Sequence, residues 1–226
     1  MKTLEAVIFD LDGVITDTAE YHFLAWQMLG KDLHIPFDRE FNETLKGVSR
    51  TESLERILAL GNRQNDFTKD EKEELAKKKN DHYVELIAHI TNEDLLPGIK
   101  RFLTELKGAG LKIGLASASK NAFQVTDRLG VQPLFDHIVD AATVAHSKPD
   151  PEVFLKAAKA LGVPPENCIG VEDAQAGIEA INSAHMVAIG VGDQDVLRNA
   201  AYVVSSTEQL NLDLVKTIFD KQKVKL

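Results

Sequence analysis

Cysteine and long apolar runs are almost absent from this sequence. Its 226 residues contain one cysteine, Cys168, which excludes an internal disulfide bond and favours a reducing compartment. Because Cys168 lies beside an isoleucine in an apolar segment, we interpret it as a small buried side chain. No apolar run approaches the ~20 residues that a transmembrane helix needs, and residues 1–5 lack the layout of a signal peptide. We therefore expect a cytoplasmic protein that does not enter a membrane.

Basic residues are scarce relative to acidic ones. The chain has 26 Lys and Arg against 35 Asp and Glu, which gives a formal net charge of −9. No basic stripe is present, and we interpret Lys221, Lys223 and Lys225 as a short solvated tail. An acidic chain of this kind is a poor binder of nucleic acid. An anionic substrate would therefore have to be held by a few local Lys or Arg side chains.

Short apolar segments alternate with helical patterns over most of the chain. Apolar runs predict strands that begin at residue 6 and span residues 111–116, 137–140, 168–171, 186–189 and 201–204. Helical patterns of 10–15 residues separate most of these strands, which is typical of βαβ units. The predicted fold class is therefore α/β, with a doubly wound parallel sheet of the Rossmann-like type as its core.

A long segment without strand patterns interrupts this alternation. Helical patterns over residues 17–33, 38–45, 50–60 and 68–90 follow one another directly after the first strand. We therefore predict an α/β core built from residues 1–16 and 91–226, with an inserted α-helical cap domain at residues 17–90.

Two aspartates follow the first predicted strand. Asp10 and Asp12 stand at i and i+2 after a continuous apolar run, so both side chains point the same way if the chain is still extended. Like charges that close repel one another unless a cation or a reaction uses them. The alternative is a solvated turn with two capping aspartates, and the downstream sequence decides against it.

Further polar groups follow three other predicted strands. Ser117 comes after the second strand, Lys148 lies in the connection after the third, and Glu172 and Asp173 follow the fourth. Open α/β sheets bind ligands beyond the carboxyl ends of their strands, so we expect these groups to converge. Singly, each has a structural alternative: Ser117 as a helix cap, Lys148 as a loop residue, and the two acids as first-turn residues of a helix.

Together, these groups suit phosphoryl transfer. A carboxylate can attack phosphorus and form an aspartyl-phosphate. The transferred group is anionic, so the acids need a hard divalent cation, and Mg²⁺ is satisfied by one or two carboxylates plus phosphate oxygens and water. Lys148 would add a second cation, and Ser117 a neutral donor.

The four motifs resemble the haloacid dehalogenase-like superfamily over the whole predicted core, and the helical insert resembles the cap of its first cap class. By this resemblance Asp10 would be the nucleophile and Asp12 the general acid/base. One Mg²⁺ would bind the Asp10 side chain, the Asp12 carbonyl group and Asp173, with Glu172 near it or acting through water. The resemblance implies that Ser117 and Lys148 hold the phosphoryl group.

Asp12 limits the activities that the resemblance implies, because the dehalogenases and phosphonatases of the superfamily lack an aspartate at this position. Phosphatase and phosphomutase activities remain compatible with the sequence. Residues 16–22, 45–50, 79–81, 116–121 and 175–178 resemble those of a phosphomutase that interconverts β-D-glucose 1-phosphate and D-glucose 6-phosphate. The resemblance implies a β-D-glucose 1,6-bisphosphate intermediate, which also primes the enzyme. The implied substrate- and phosphate-binding residues are Thr18, His22, Lys46, Gly47, Val48, Ser49, Arg50, Ser53, Lys79, Ser117, Ala118, Ser119, Lys120, Asn121 and Lys148.

Several of these residues also have structural interpretations. Arg50 could begin an exposed helix with Ser49 as its N-cap, and His22 could be a satisfied core histidine. Alternatives to the mutase are a sugar-phosphate phosphatase on the same scaffold and a non-catalytic sensor of sugar phosphates. Small-molecule sugar phosphates are the expected partners, without nucleic acid or membrane, and we expect a monomer.

Overall fold

The computed structural model describes residues 3–223, and its described part forms two compact units. Within the described residues, the first unit consists of residues 3–17 and 91–223, and the second is the continuous segment Thr18–Ile90. Asp17, which the sequence analysis assigned to the inserted segment, therefore belongs to the first unit. None of the helices within residues 3–223 has the combined length and apolar character that crossing a bilayer requires.

The first unit is built on a parallel sheet, which has six strands within the described residues, in the order β3-β2-β1-β4-β5-β6. The central strand β1 (Ala6–Phe9) pairs with β2 (Lys112–Leu115) on one side and with β4 (Cys168–Glu172) on the other. The outer strands are β3 (His137–Ile138), β5 (Val187–Val191) and β6 (Tyr202–Val204). This sheet confirms the predicted α/β fold class.

The strand order follows from the alternation of strands and helices. Consecutive parallel strands need a crossover, which here carries a helix in most cases. The helices of this unit are α5 (Ile99–Gly108), α6 (Ala122–Arg128), α7 (Glu152–Leu161), α8 (Gln175–Ser183) and α9 (Leu212–Lys223). The chain winds outward from β1 in both directions, so the carboxyl ends of β1, β2 and β4 lie side by side.

Helices cover both faces of this sheet. On one face Ile8 of β1 belongs to an apolar cluster with Phe154 of α7 and Ile181 of α8. On the other face the ring of Phe9 meets that of Phe102 from α5 edge-on, with 5.7 Å between centroids. Because alternate residues of a strand point to opposite faces, a strand buried on both sides must be apolar throughout. The predicted two-sided burial of the first strand is thus confirmed.

The second unit contains, in chain order, α1 (Ala19–Asp32), α2 (Arg39–Glu43), α3 (Arg50–Leu60) and α4 (Lys69–Leu86). Its own apolar core gathers residues from α1 and α3, including Trp26, Leu29 and Ile57. Side-chain caps set three of the four helix starts: Asp38 for α2, Ser49 for α3 and Thr68 for α4. The predicted cap at Ser49 is confirmed, since its Oγ accepts the N–H of Glu52 at 3.3 Å.

The remaining differences from the predicted elements are at their ends. The helix predicted over residues 68–90 stops at Leu86 and continues as a 3₁₀ turn over Ile87–His89. The strand predicted over residues 137–140 has only two residues, because Asp140 caps a 3₁₀ turn by accepting the N–H of Ala142. A polar cap or a change to a 3₁₀ turn ends an element without changing the apolar pattern. Elements predicted from that pattern therefore extend beyond the observed ends.

The two chain segments that leave and re-enter the first unit are bonded to each other. The hydroxyl of Thr16 donates to the carbonyl of Asp94 at 2.7 Å, and the N–H of Leu96 donates to the carbonyl of Ile15 at 3.0 Å. An isolated antiparallel bridge joins Thr16 to Leu95. The insertion point is therefore a fixed part of the first unit.

Candidate active site

Asp10 and Asp12 follow the central strand directly. The N–H of Asp10 donates to the carbonyl of Val171 at 2.9 Å, which extends the pairing of β1 with β4 by one residue. Asp10 is 5% exposed, and Asp12 is half-buried. The chain turns at Gly13, whose φ of +74° is a left-handed conformation that favours glycine. The acids thus lie at the middle of the sheet edge where ligands bind in α/β folds.

Lys148 reaches this edge from the connection between β3 and α7. Its Nζ lies 2.6 Å from Oδ1 of Asp10 and 2.7 Å from Oε2 of Glu172, and the side chain is almost fully buried. Asp10 and Lys148 are 138 residues apart in the chain. The structure therefore brings together three of the groups that the sequence analysis selected from different strand ends.

Glu172 is the last residue of β4 and is completely buried. While its Oε2 faces Lys148, its Oε1 accepts the N–H groups of Asp173 and Ala174 at 3.1 and 3.2 Å. Helix α8 begins only at Gln175, so Glu172 and Asp173 precede the helix and are not its first-turn acids. The structural alternative for these two residues is thus wrong.

Burial and the neighbouring charges shift the pKa values of the groups in this cluster. Burial raises the pKa of Asp10, the neighbouring Glu172 adds to that rise, and Lys148 opposes it. Burial likewise raises the pKa of Glu172. Burial alone would lower the pKa of Lys148, but its two carboxylate partners outweigh that effect and raise it. Two buried carboxylates therefore share one ammonium group, and a third acid, Asp173, follows Glu172 in the chain.

A divalent cation fits these acids. Asp10, Glu172 and Asp173 each offer a carboxylate oxygen, and the three oxygens lie within 4.8 Å of one another. A set made only of carboxylate oxygens is the kind that hard cations such as Mg²⁺ prefer. Such an ion would add positive charge beside three clustered carboxylates, two of which contact Lys148.

Ser117 lies at the end of β2, next to β1 in the sheet. The N–H of Ala116 donates to the carbonyl of Phe9 at 2.7 Å, which ties this strand end to the residue before Asp10. Ser117 is buried, and its Oγ accepts the N–H of Ser119 at 3.0 Å. Helix α6 has Asn121 at its N-cap position, so Ser117 is not the cap of the next helix.

Two of the predicted substrate-binding residues meet within the helical unit. Nζ of Lys79 lies 2.8 Å from Nδ1 of His22, 4.6 Å from the ring centre of Trp26 and 4.9 Å from that of Tyr83. The His22 ring stacks on Tyr83 with 4.1 Å between centroids. Burial, and the charges of Lys79 and Arg50, hold the pKa of His22 well below its usual range. His22 is therefore neutral, which suits a hydrogen-bonding partner of a lysine.

The other lysines near Lys79 differ from it. Lys77 and Lys78 are exposed and pair with Asp81 and Asp32, whereas Lys79 is only 2% exposed. A lysine is rarely buried without a task or a partner. The selection of Lys79 from this basic run is consistent with its burial, and its role stays a prediction.

The remaining predicted residues occupy varied surroundings. Arg50 begins α3 after its Ser49 cap, as in the structural alternative, but it is half-buried and not exposed, and burial lowers its pKa. Gly47 has a φ of +72°, and Lys46 pairs with Glu43 at 2.8 Å. Thr18 and Ser53 are buried, Lys120 is exposed, and the half-buried remainder are Val48, Ser49, Ala118, Ser119 and Asn121.

Gly177 shapes the site without contributing a side chain, a role that the sequence analysis did not assign to it. A Cβ atom at Gly177 would lie 1.9 Å from Oε2 of Glu172, so a side chain there would displace the carboxylate. Gly13 has the same relation to Asp173, with 2.2 Å to Oδ2. A glycine inside a predicted helix was the available signal, because glycine costs stability there unless close packing needs it.

Gly177→Ala is expected to destabilise the first unit by about 1–3 kcal/mol, the usual cost of overpacking a filled interior. The added methyl group must move the Glu172 carboxylate, and with it the contact to Lys148. Urea unfolding measures this loss. The matched control is Gly108→Ala, since a Cβ at Gly108 of α5 meets nothing within 4 Å. Equal stability of the two variants would contradict the close packing at Gly177.

Comparisons with known proteins agree with this geometry. The chain is 51% identical over 222 residues to the β-phosphoglucomutase of Bacillus subtilis, with 98% of each chain covered. It also matches a crystal structure of β-phosphoglucomutase from Clostridium difficile, with a TM-score of 0.97 and 51% identity, covering 98% of this chain and 100% of that one. A phosphorylated carbohydrates phosphatase of Thermotoga maritima is 30% identical over 183 residues, which are 80% of this chain and 82% of that protein.

A comparison of the sequence with models of protein families also finds a match. The model that describes haloacid dehalogenase-like hydrolases matches residues 4–185. That range holds Asp10, Ser117, Lys148 and Glu172, which lie at or after the carboxyl ends of β1, β2, β3 and β4 in chain order. On this match and on the relatives above, the chain belongs to the haloacid dehalogenase-like hydrolase family.

Proposed function

We propose that this chain is a phosphomutase that interconverts β-D-glucose 1-phosphate and D-glucose 6-phosphate. The observation that carries the proposal is the buried cluster in which Lys148 lies within 2.7 Å of both Asp10 and Glu172, at the carboxyl edge of the sheet. The 51% identity to a β-phosphoglucomutase over nearly the full chain supports the choice of reaction.

In this proposal Asp10 is the nucleophile. Its carboxylate attacks phosphorus and becomes an aspartyl-phosphate, so the enzyme is a phosphoprotein during its cycle. The Lys148 ammonium group stabilises the negative charge on the phosphoryl oxygens during the transfer. The buried hydroxyl of Ser117 donates a hydrogen bond to these oxygens. The Lys148 ammonium group already lies 2.6 Å from Oδ1 of Asp10, so it is close to the oxygen that attacks phosphorus.

Mg²⁺ is the proposed metal. The Asp10 side chain, Asp173 and the main-chain carbonyl of Asp12 would hold it, and Glu172 would lie near it or act through water. The carboxylate oxygens of Asp10, Glu172 and Asp173 lie within 4.8 Å of one another, which supports this assignment. When bound, it supplies positive charge that offsets the phosphoryl oxygens and the crowded carboxylates.

Asp12 is the proposed general acid and base. It lies two residues beyond the nucleophile and is half-buried, so a partly desolvated carboxyl group is available for proton transfer. Asp12 takes the proton of the sugar 6-hydroxyl as that oxygen attacks the aspartyl-phosphate. The bond between phosphorus and Asp10 breaks, which regenerates the carboxylate and yields β-D-glucose 1,6-bisphosphate.

The second half of the cycle reverses the roles of the two phosphates. The bisphosphate turns round, Asp10 attacks its 1-phosphoryl group, and Asp12 returns the proton to the departing sugar oxygen. Glucose 6-phosphate leaves, and the phosphoenzyme is restored. The bisphosphate also primes an enzyme that has lost its phosphoryl group.

We assign the sugar and the distal phosphate to the remaining predicted residues. Arg50 is the proposed clamp of the distal phosphate, because a guanidinium group can bind phosphate oxygens with two parallel hydrogen bonds. Lys79 and His22 would bind sugar oxygens, as would the residues around Gly47. From the core unit, Ser119, Lys120 and Asn121 would add donors for the distal phosphate.

The second candidate is a sugar-phosphate phosphatase, which the 30% identity to a carbohydrate phosphatase favours. The two differ in whether water or a sugar hydroxyl receives the phosphoryl group from Asp10. Incubating the chain with β-D-glucose 1-phosphate, Mg²⁺ and a trace of the bisphosphate separates them. Formation of glucose 6-phosphate supports the mutase, and phosphate release without an isomer would overturn it.

We expect the enzyme to act as a monomer in the cytoplasm on small sugar phosphates. The buried position of Cys168 agrees with a reducing compartment, and burial raises the pKa of its thiol to about 12, which makes it unreactive. Gel filtration with light scattering tests the monomer.

Arg50→Ala is expected to raise KM for the bisphosphate about 10- to 100-fold, the loss expected for hydrogen bonds to a charged group. Transfer from a small acyl phosphate to Asp10 is expected to remain unchanged, because such a donor has no distal phosphate. Steady-state kinetics with both donors measure the difference, with Arg50→Lys as the variant that keeps the charge. An equal loss with the two donors would show that Arg50 is not the clamp.

A further inference from the structure

The connection that carries Lys148 is anchored by the helix that follows it. Glu152, the first residue of α7, turns its carboxylate back toward the preceding loop. Its two oxygens accept the N–H of Ala145 at 3.1 and 3.0 Å, and Oε2 also accepts the N–H of His146 at 2.9 Å. The carboxylate thus binds two consecutive amide groups that lie two and three residues before Lys148.

A second side chain of the same helix completes this anchor. Nζ of Lys156, one turn further along α7, lies 2.7 Å from Oε1 of Glu152 and also donates to the carbonyl of Thr143. The N–H of Asp150 also donates to the carbonyl of Ser147 at 3.0 Å, which closes a turn around Lys148. The loop is therefore held before Lys148 by α7, and Lys148 itself lies in a hydrogen-bonded turn.

The contacts of the Glu152 carboxylate favour its charged form. Lys156 and the amides of Ala145 and His146 hold the pKa of Glu152 at about 2. Charge-assisted hydrogen bonds are shorter and stronger than neutral ones, so a permanent anion is a better anchor than a hydroxyl or an amide oxygen.

Lys148 needs an anchor outside the site. Here its ammonium group is held by Asp10 and Glu172, but in the proposed function Asp10 becomes phosphorylated and its contact with Lys148 must change. A cation that stabilises the transferring group acts only if it stays in position while its partners exchange. The contacts of Glu152 do not change during such a cycle, because they go to the main chain of the loop.

We propose that Glu152, together with Lys156, is a positioning residue that fixes the loop from Thr143 to Ser147 and thereby places the Lys148 ammonium group for phosphoryl transfer. This inference rests on the proposed function for the reaction that Lys148 serves. The clamp itself is a statement about the loop and can be tested without turnover.

The first experiment measures how well Lys148 is protected. Reductive methylation of the full chain, followed by mass spectrometry, gives the labelling rate of each lysine. Glu152→Ala is expected to raise the rate at Lys148 roughly tenfold, since hydrogen bonds to a charged group are lost. Glu152→Gln keeps one acceptor oxygen but loses the charge and the ion pair with Lys156, so its labelling rate at Lys148 is expected to lie between those of Glu152→Ala and the unmodified chain. The exposed Lys159 on the same helix serves as the internal reference.

Two controls separate the clamp from general effects. Asp213→Ala removes an acid from the first turn of α9, so it reports the loss of a helix-terminal charge elsewhere. Lys156→Met removes the second anchor and is expected to raise labelling at Lys148 as well, which keeps the test decisive if Glu152→Ala folds poorly. Unchanged labelling of Lys148 in folded Lys156→Met and Glu152→Ala would overturn the proposal.

The second experiment tests whether Glu152 acts through Lys148. Glu152→Ala is expected to lower kcat about tenfold, a typical loss for a residue that orients an active-site group, with little change in KM. In a Lys148→Ala background the same substitution is expected to cause no further loss. An equal loss in both backgrounds would overturn the inference. If the unmodified chain forms no isomer, the proposed function fails, whereas the labelling result still decides the clamp.

Discussion

Asp10→Asn is expected to lower kcat by about 10⁴-fold or more, the scale seen when a nucleophile is removed. The substitution keeps the shape of the side chain, but a carboxamide does not form the aspartyl-phosphate. The neighbouring Glu172 carboxylate is held by Lys148 and by the N–H groups of Asp173 and Ala174, so we do not expect it to replace Asp10.

The measurement is the mass of the intact protein after mixing with β-D-glucose 1,6-bisphosphate. The unmodified chain is expected to gain one phosphoryl group, and the Asp10→Asn variant none. Asp127→Asn, which changes an exposed acid of α6, is the control for the loss of one negative charge. A phosphoryl group found on the Asp10→Asn protein would assign the nucleophile to another residue.

Lys148→Met is expected to have the second largest effect, because it acts on both stability and turnover. Methionine has nearly the same length, but it leaves Asp10 and Glu172 buried without the cation that each contacts. Breaking a buried ion pair by removing one partner costs about 3–5 kcal/mol. Turnover is expected to fall because the transferring phosphoryl group loses a positive charge that was already in place.

Urea unfolding at neutral pH, without divalent cations, gives the stability change. Mg²⁺ is expected to raise the stability of the variant, since it would place a cation beside the carboxylates of Asp10, Glu172 and Asp173. Lys159→Met on the exposed side of α7 is the matched control. A Lys148→Met protein as stable as this control would mean that the ion pairs contribute little to folding.

The sheet and its carboxyl edge were predictable because their signals are local. The apolar run from Ala6 to Phe9 reports burial on both faces, and polar residues follow each strand at the point where the ligand edge begins. The helical insert was equally visible, since the patterns of α1, α3 and α4 have a helical period throughout. Only the ends of elements differed from the prediction, because caps such as Asp140 end an element that the apolar pattern would continue.

The supporting residues of the site were not predictable in the same way. Glu152 looks like an ordinary first-turn acid of a helix, and nothing in its sequence surroundings shows that it binds the amides of Ala145 and His146. Gly177 likewise matters only because the Glu172 carboxylate occupies the space where a Cβ atom of residue 177 would lie. Such roles depend on how the chain turns between elements, and hydrophobic patterns carry no information about these turns.

The pairing of Thr16 with Leu95 has a consequence for the order in which the chain folds. Ala6 of β1 pairs with Lys112 of β2, so the first strand pairing in chain order closes a loop of about a hundred residues, at an entropic cost that grows with loop length. Within that loop the stacking of His22 on Tyr83 joins residues near the two ends of the helical unit. Early folding of this unit, whose contacts are more local, shortens the loop that remains to be closed. A folded insert therefore adds less to the entropic cost of pairing β1 with β2 than an unfolded one would.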